Sequence, residues 1–201
     1  QLISLYDEMF EKVGEFNKNS YNDIFLDAFR KYEKLTDDIS DMIVNNPEKS
    51  DEIIGMIAQI LPEHAENVMN QYTKRQKNRM EENHNVNMAA YVLPILTYSN
   101  NECCVAVAEK MVSIWNEKKI VSLNLQYSTY ENIAKGFKRK LCYITTAVCQ
   151  HQNKPDDCYE LTTLRAFRDN YLMQSETGRQ LVKEYYNVAP ALVMFIDMQK
   201  D

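Results

Sequence analysis

The sequence predicts an all-α protein. Three observations carry this: glycine and proline are scarce, at 4 and 5 of 201 residues; apolar side chains recur at helical spacing through most of the chain; and a single short segment alternates as a strand would. Hairpins and type II turns draw heavily on glycine, so a sheet-rich fold of this length needs more of it. Sparse turn residues among abundant Lys, Glu, Met and Leu favour long helices instead.

In chain order, Leu2, Leu5, Tyr6, Met9, Phe10, Val13 and Phe16 form the first helical stripe. Asn17 to Ser20 breaks it, with Ser20 as expected N-cap of a helix reaching Val44. Asn45-Asn46-Pro47 stops that helix, and Ser50 caps a short one over Ile53 to Leu61. Pro62 suits a first helical position, so a further helix is expected to start there and run to Glu82. Its second half is polar all round. Asn83 to Asn85 reads as a loop, and His64 and His84, which have no partner pattern, read as solvated. Val86 to Tyr98 is an apolar helix that Pro94 kinks or splits. Asn101 opens a helix over Glu102 to Trp115, on which Cys103-Cys104 reads as one core and one half-exposed thiol. Ile120 to Tyr127 is the one extended candidate. Ser128 and Glu131 have capping-box spacing and open a helix to Lys140. Cys142 to Cys149 fits either period. Helices over Asp157 to Gln174, Arg179 to Asn187 and from Pro190 onward complete the reading. The expected organisation is an irregular helical array over 1–135 and a small helical module over 136–201 that shares its core.

Charge is uneven. Residues 1–66 hold six basic and fifteen acidic side chains within a net charge of −6, which disfavours non-specific nucleic-acid binding there. The runs Lys74 to Arg79 and Lys138 to Lys140 lack interleaved aromatics and read as solvated helix faces. No apolar run approaches the ~20 residues of a membrane span, and no signal peptide is visible. Five cysteines without framework spacing point to reduced thiols and a cytoplasmic setting.

Reactive side chains concentrate between Cys142 and Pro190. The stretch Cys142-Tyr143-Ile144-Thr145-Thr146-Ala147, then Leu164-Arg165-Ala166-Phe167-Arg168-Asp169, then Gly178-Arg179, Tyr185-Tyr186 and Pro190 resembles the CFI-box C-terminal domain family. The resemblance covers the last third of the chain, with Tyr143 in place of the family's phenylalanine and Cys149 in place of an aromatic-glycine step. That family carries no assigned biochemical activity, so the resemblance implies a module and no mechanism.

Read physically, Cys142 follows three cations that lower a thiol pKa. With Thr145 and Thr146 as donors and His151 as base it has the parts of a nucleophile arrangement. The bland reading, a packed thiol, leads because no third orienting residue or oxyanion motif is present. Cys142, Cys149, His151 and Cys158 are the donor types of a Cys3His zinc site, but no Cys-x-x-Cys occurs, so no metal or cofactor is expected. On a helical wheel Arg168 falls among Leu161, Leu164, Tyr171 and Leu172, which makes it a buried strut, with Arg165 and Asp169 paired one turn apart beside it. Arg165 and Arg168 as a pair for an anionic ligand is the functional alternative. Tyr185 and Tyr186 read as packing residues. The function these features favour is a non-enzymatic interaction or adaptor protein. It contacts a protein partner, as the acidic helical array and 10 methionines suggest. The alternative is an enzyme or anion-binding protein built on Cys142, His151, Arg165 and Arg168.

Overall fold

A computed structural model describes residues 1–122, 124–138 and 143–197, with all their side chains except 78, 79, 138, 143 and 194–197. It is all-α, with no strand among the described residues. The helices are α1 (Leu2–Lys12), α2 (Tyr21–Val44), α3 (Ser50–Gln71), α4 (Lys74–Val86), α5 (Leu93–Thr97), α6 (Glu102–Glu117), α7 (Tyr130–Lys138), α8 (Tyr143–His151), α9 (Tyr159–Asn170) and α10 (Glu176–Asp197).

The amphipathic stripes of α1, α2, α3 and α6 meet in one core that holds Leu5, Phe25, Ala58, Leu61, Val107, Met111 and Trp115. Its most extensive pairing is α3 along α6. A fully buried Leu, Val, Phe or Met among these contributes about 1.5–3 kcal/mol. Around it runs an aromatic chain: Phe16, Tyr21, Phe25, Tyr98, Tyr130 and Phe137, with Phe25 stacked 4.5 Å from Tyr130 and Tyr21 5.5 Å from Phe137. These contacts anchor α7 on the array, so residue 135 lies inside a helix that belongs to the array's core. Ala191 of α10 joins the same core. The loop before α2 ties to α10 as well, because Lys18 N–H donates to the Asn187 carbonyl at 3.1 Å.

Prolines read as boundaries are tolerated inside helices. Pro62 lies within α3 and Pro190 within α10, so neither starts a helix. Pro94 follows a π-helical segment, Asn87–Val92, that joins α4 to α5 without a break. A proline at 94 leaves the carbonyl of residue 90 without its helical donor. Tyr21 Oη donates to the Ala90 carbonyl at 3.0 Å and replaces it. Asn83 to Asn85 is therefore helix, contrary to the loop expected from its polarity.

Two caps also move. Thr129, not Ser128, sits at the start of α7, with Oγ1 3.4 Å from Asn132 N–H. A capping box forms instead at Thr73 and Gln76. Residues 120–122 and 124–127 run without regular structure, and Ile120, Val121 and Leu125 turn inward. Here the Asn116 amide stands in for a neighbouring strand: it donates to the Leu125 carbonyl at 2.9 Å and accepts from Leu125 N–H at 2.7 Å.

Candidate functional site

The second half of the chain builds a groove between α9, a 3-10 turn over Leu172–Gln174, and α10. Ser175 leads into α10, its Oγ accepting from Gly178 N–H at 2.9 Å. Gly178 sits so close to the turn that a β-carbon there would lie 1.9 Å from the Leu172 carbonyl oxygen. Only glycine lets α10 approach that far. The resulting cavity has a volume of about 340 Å³ and is lined by Leu164, Phe167, Leu172, Leu181, Val182 and the rings of Tyr185 and Tyr186, with Thr145 and Arg168 as its other polar lining. That size is at the small end of ordinary ligand pockets.

Arg168 forks onto its chain neighbour, Nε to Asp169 Oδ1 at 2.6 Å and Nη2 to Oδ2 at 2.8 Å, and its Nη1 donates to Tyr186 Oη. The hydrogen-bonded guanidinium holds the Asp169 carboxyl below its usual range. Arg168 thus links α9 to α10, as a strut does, yet at a half-open edge: Phe167 beside it is 48% exposed and Tyr171 68%. Of the face read as buried, Leu161 is buried, whereas Leu164 and Tyr171 are left exposed by the described residues.

Arg165 pairs with Asp156 rather than Asp169. Its Nη1 and Nη2 reach the Asp156 carbonyl at 2.9 Å and Oδ1 at 2.8 Å, because the loop before α9 presents both acceptors together. Tyr185 Oη accepts from Ile144 N–H at 3.2 Å, satisfying one of the free amides at the start of α8. Tyr185 and Tyr186 meet edge to face at 5.4 Å.

Of the nucleophile set, the described members Thr145, Thr146 and His151 do not face one point. Cys142 lies outside the described residues. Thr145 lines the groove, whereas Thr146 is buried with an unpartnered Oγ1. His151 is exposed at the far end of α8, roughly 9 Å along the axis from Thr145 at 1.5 Å per residue. Two thiols do meet: Cys149 and Cys158 are 3.5 Å apart at Sγ, with the Glu160 carboxylate close by. Burial first, then the hydrogen bond from Cys158, raises the Cys149 thiol above its usual range. Glu160 escaped the sequence reading, since only the return of the chain into α9 places it there. Of the vicinal pair, Cys104 is buried, its Sγ 3.4 Å from the Thr36 carbonyl and its pKa pushed up to about 11 by desolvation.

A buried polar cluster under the π segment was not legible in the sequence. His84, read as solvated, is 1% exposed. Its Nδ1 is hydrogen-bonded to Tyr6 Oη, and its Nε2 is buried without a partner. Desolvation, then the nearby His64, lowers its pKa to about 4. Beside it Asn85 Oδ1 accepts from Trp115 Nε1 at 3.0 Å, and Asn87 Nδ2 donates to the Tyr6 carbonyl at 2.9 Å. His64 also has a partner, Asp7 at 2.7 Å. His84, Asn85 and Asn87 are sealed from solvent, and their bonds to Tyr6 and Trp115 tie α4 and the π segment to α1 and α6.

No described helix is long and apolar enough to cross a membrane. No family model, no curated protein and no solved structure matches this chain.

Proposed function

We propose that the protein is a non-enzymatic helical interaction protein. Its C-terminal part receives an apolar segment of a partner protein in the groove between α9 and α10. The observation that carries this reading is where apolar surface is left open. Of the fifteen large hydrophobic side chains exposed among the described residues, nine lie between Val148 and Leu192. Leu164, Phe167 and Leu181 are among them and line the groove. Concentrated exposed apolar surface marks interaction sites.

The same positions support reading the last third of the chain as a CFI-box module. Thr145, Leu164, Arg168, Tyr185 and Tyr186, drawn from three separated motifs, all line one groove, and Gly178 sets the approach of α10. An anionic ligand at Arg165 and Arg168 has to displace Asp156 and Asp169, so the interaction reading leads over the anion-binding one.

Leu181 is half-exposed, so Leu181→Ser leaves the fold intact. A photo-crosslinking residue at 181 is expected to join one protein reproducibly in cells. That purified protein, titrated by calorimetry, should bind wild type at least about tenfold more tightly than Leu181→Ser, the loss of one buried apolar side chain being worth 1.4 kcal/mol or more. Equal affinity of the two rejects the groove as the binding surface.

A further inference from the structure

We propose that Cys149, Cys158 and Glu160 form a site for a thiophilic divalent metal ion of the zinc class. This does not rest on the groove reading. Cys149 lies in the last turn of α8, and Cys158 precedes α9 at its N-cap position. The chain between them is a tight hydrogen-bonded return: Lys154 N–H bonds the Cys149 carbonyl at 2.8 Å, Cys158 N–H bonds the Pro155 carbonyl at 3.0 Å, and Asn153 takes a left-handed φ of 55°. One sulfur from each helix is thereby held at the same point.

The separations suit a metal better than a disulfide. Two thiolates at about 2.3 Å from a tetrahedral zinc ion stand about 3.8 Å apart, and a thiolate and a carboxylate oxygen about 3.5 Å. The two sulfurs are 3.5 Å apart, and all three donor atoms lie within 4.8 Å of one another. A disulfide at about 2.05 Å needs the sulfurs to close by a further 1.5 Å or so. Soft sulfur with one carboxylate is a zinc-type donor set, and three protein ligands leave the fourth position open.

Charge and packing agree with this. Two thiolates and a carboxylate exceed a divalent ion by one negative charge, and Lys154, hydrogen-bonded to Glu160, supplies the balance. Both thiols must lose their protons on binding. Among the described residues, the hydrophobic cluster beneath them consists of Cys149 and Leu161 with Cys158 packed on it. So small a core holds α8 on α9 weakly, and a metal is one of the few staples that serve a small module. The Cys-x8-Cys-x-Glu spacing has no Cys-x-x-Cys signature, which is why spacing alone argued against any metal.

The test uses the full chain, purified reduced and metal-free. Titration with Zn2+ against a chromophoric chelator should show one equivalent bound. Co2+ should give the absorption of a tetrahedral site with thiolate charge-transfer bands. Cys158→Ser should weaken Zn2+ binding at least about a hundredfold and Glu160→Gln at least about tenfold, while Cys103→Ser leaves it unchanged. Glu160 lies at the solvent edge, so Glu160→Gln remains decisive if the buried Cys149→Ser fails to fold. The proposal is overturned if wild type binds no Zn2+. It is also overturned if Glu160→Gln and Cys158→Ser bind Zn2+ as wild type does, or if Co2+ shows no thiolate band. Quantitative Cys149–Cys158 disulfide formation at a glutathione poise, with no metal retained before oxidation, overturns it in favour of a redox pair.

Discussion

The helical array and the C-terminal module spend their apolar residues differently. In the array, α1 to α7 close over Trp115, Leu61, Phe25 and a polar knot at His84 until these are essentially dry. In the module, α8 to α10 surround a two-residue cluster and leave Leu164, Phe167, Tyr171 and Leu181 in contact with water. The module has enough apolar side chains to build a core, and it turns them outward. A region that keeps apolar surface at the cost of its own packing depends on something else to hold it: the packing of α10 on α7 and of Ala191 in the array's core, polar ties such as Arg168 to Tyr186, and, on the metal proposal, an ion at Cys149 and Cys158.

Substitutions of similar chemistry should therefore cost very different amounts in the two regions. Trp115→Ala opens a large cavity among α1, α3 and α6 and removes the hydrogen bond to Asn85. The expected loss is about 3–5 kcal/mol in denaturant unfolding. Phe167→Ala, which removes another aromatic ring but from a half-exposed site, should cost less than about 1 kcal/mol. Equal losses would erase the distinction between a closed array and an open module.

Acid should strike the array first. The folded pKa of His84, lowered to about 4, lies below the ordinary value near 6.5. Between these values the unfolded chain binds more protons, so stability is complete above about pH 6.5 and is lost as pH falls toward 4. The full loss is about 3 kcal/mol. The groups facing the ring are Tyr6, Tyr72, Phe10 and His64, none of them a carboxylate able to keep the imidazolium. Unfolding followed between pH 7 and 4 should show this slope in wild type and lack it in His84→Asn. An unchanged slope in the variant assigns the acid sensitivity elsewhere.

These two regions were also unequally legible in the sequence. The array's helices follow from their apolar stripes, since a long amphipathic helix has one way to bury its face. What escaped there depended on partners distant in the chain. Polar Asn83 to Asn85 reads as a loop until Tyr6 and Trp115 supply its hydrogen bonds, and Pro94 reads as a break until Tyr21 reaches Ala90. In the module the motif residues were visible but their arrangement was not. The wheel places Arg168 among apolar residues, but a wheel cannot show that α10 meets that face only at a groove and leaves Leu164 and Tyr171 exposed. Arg165 chose Asp156 over Asp169 because of a loop conformation that periodicity does not encode. Cys149, Cys158 and Glu160 meet only through the turn between α8 and α9.

Gly178 offers the sharpest test of whether the two regions are separate in stability. A β-carbon there meets the Leu172 carbonyl oxygen at 1.9 Å, a backbone atom that cannot swing aside. Gly178→Ala must push α10 off the 3-10 turn, at an expected cost of roughly 1–3 kcal/mol. The chain has a single tryptophan, and it lies in the array's core. Its fluorescence therefore reports the array, while far-ultraviolet circular dichroism reports every helix. If the module is held independently, Gly178→Ala makes the dichroism begin to fall earlier, leaves the fluorescence midpoint in place and weakens groove binding. If the fluorescence midpoint falls with it, the packing of α10 on α7 and Ala191 in the array's core couple the two regions into one cooperative unit. The open groove would then be maintained by the array's stability, rather than tolerated as a local weakness.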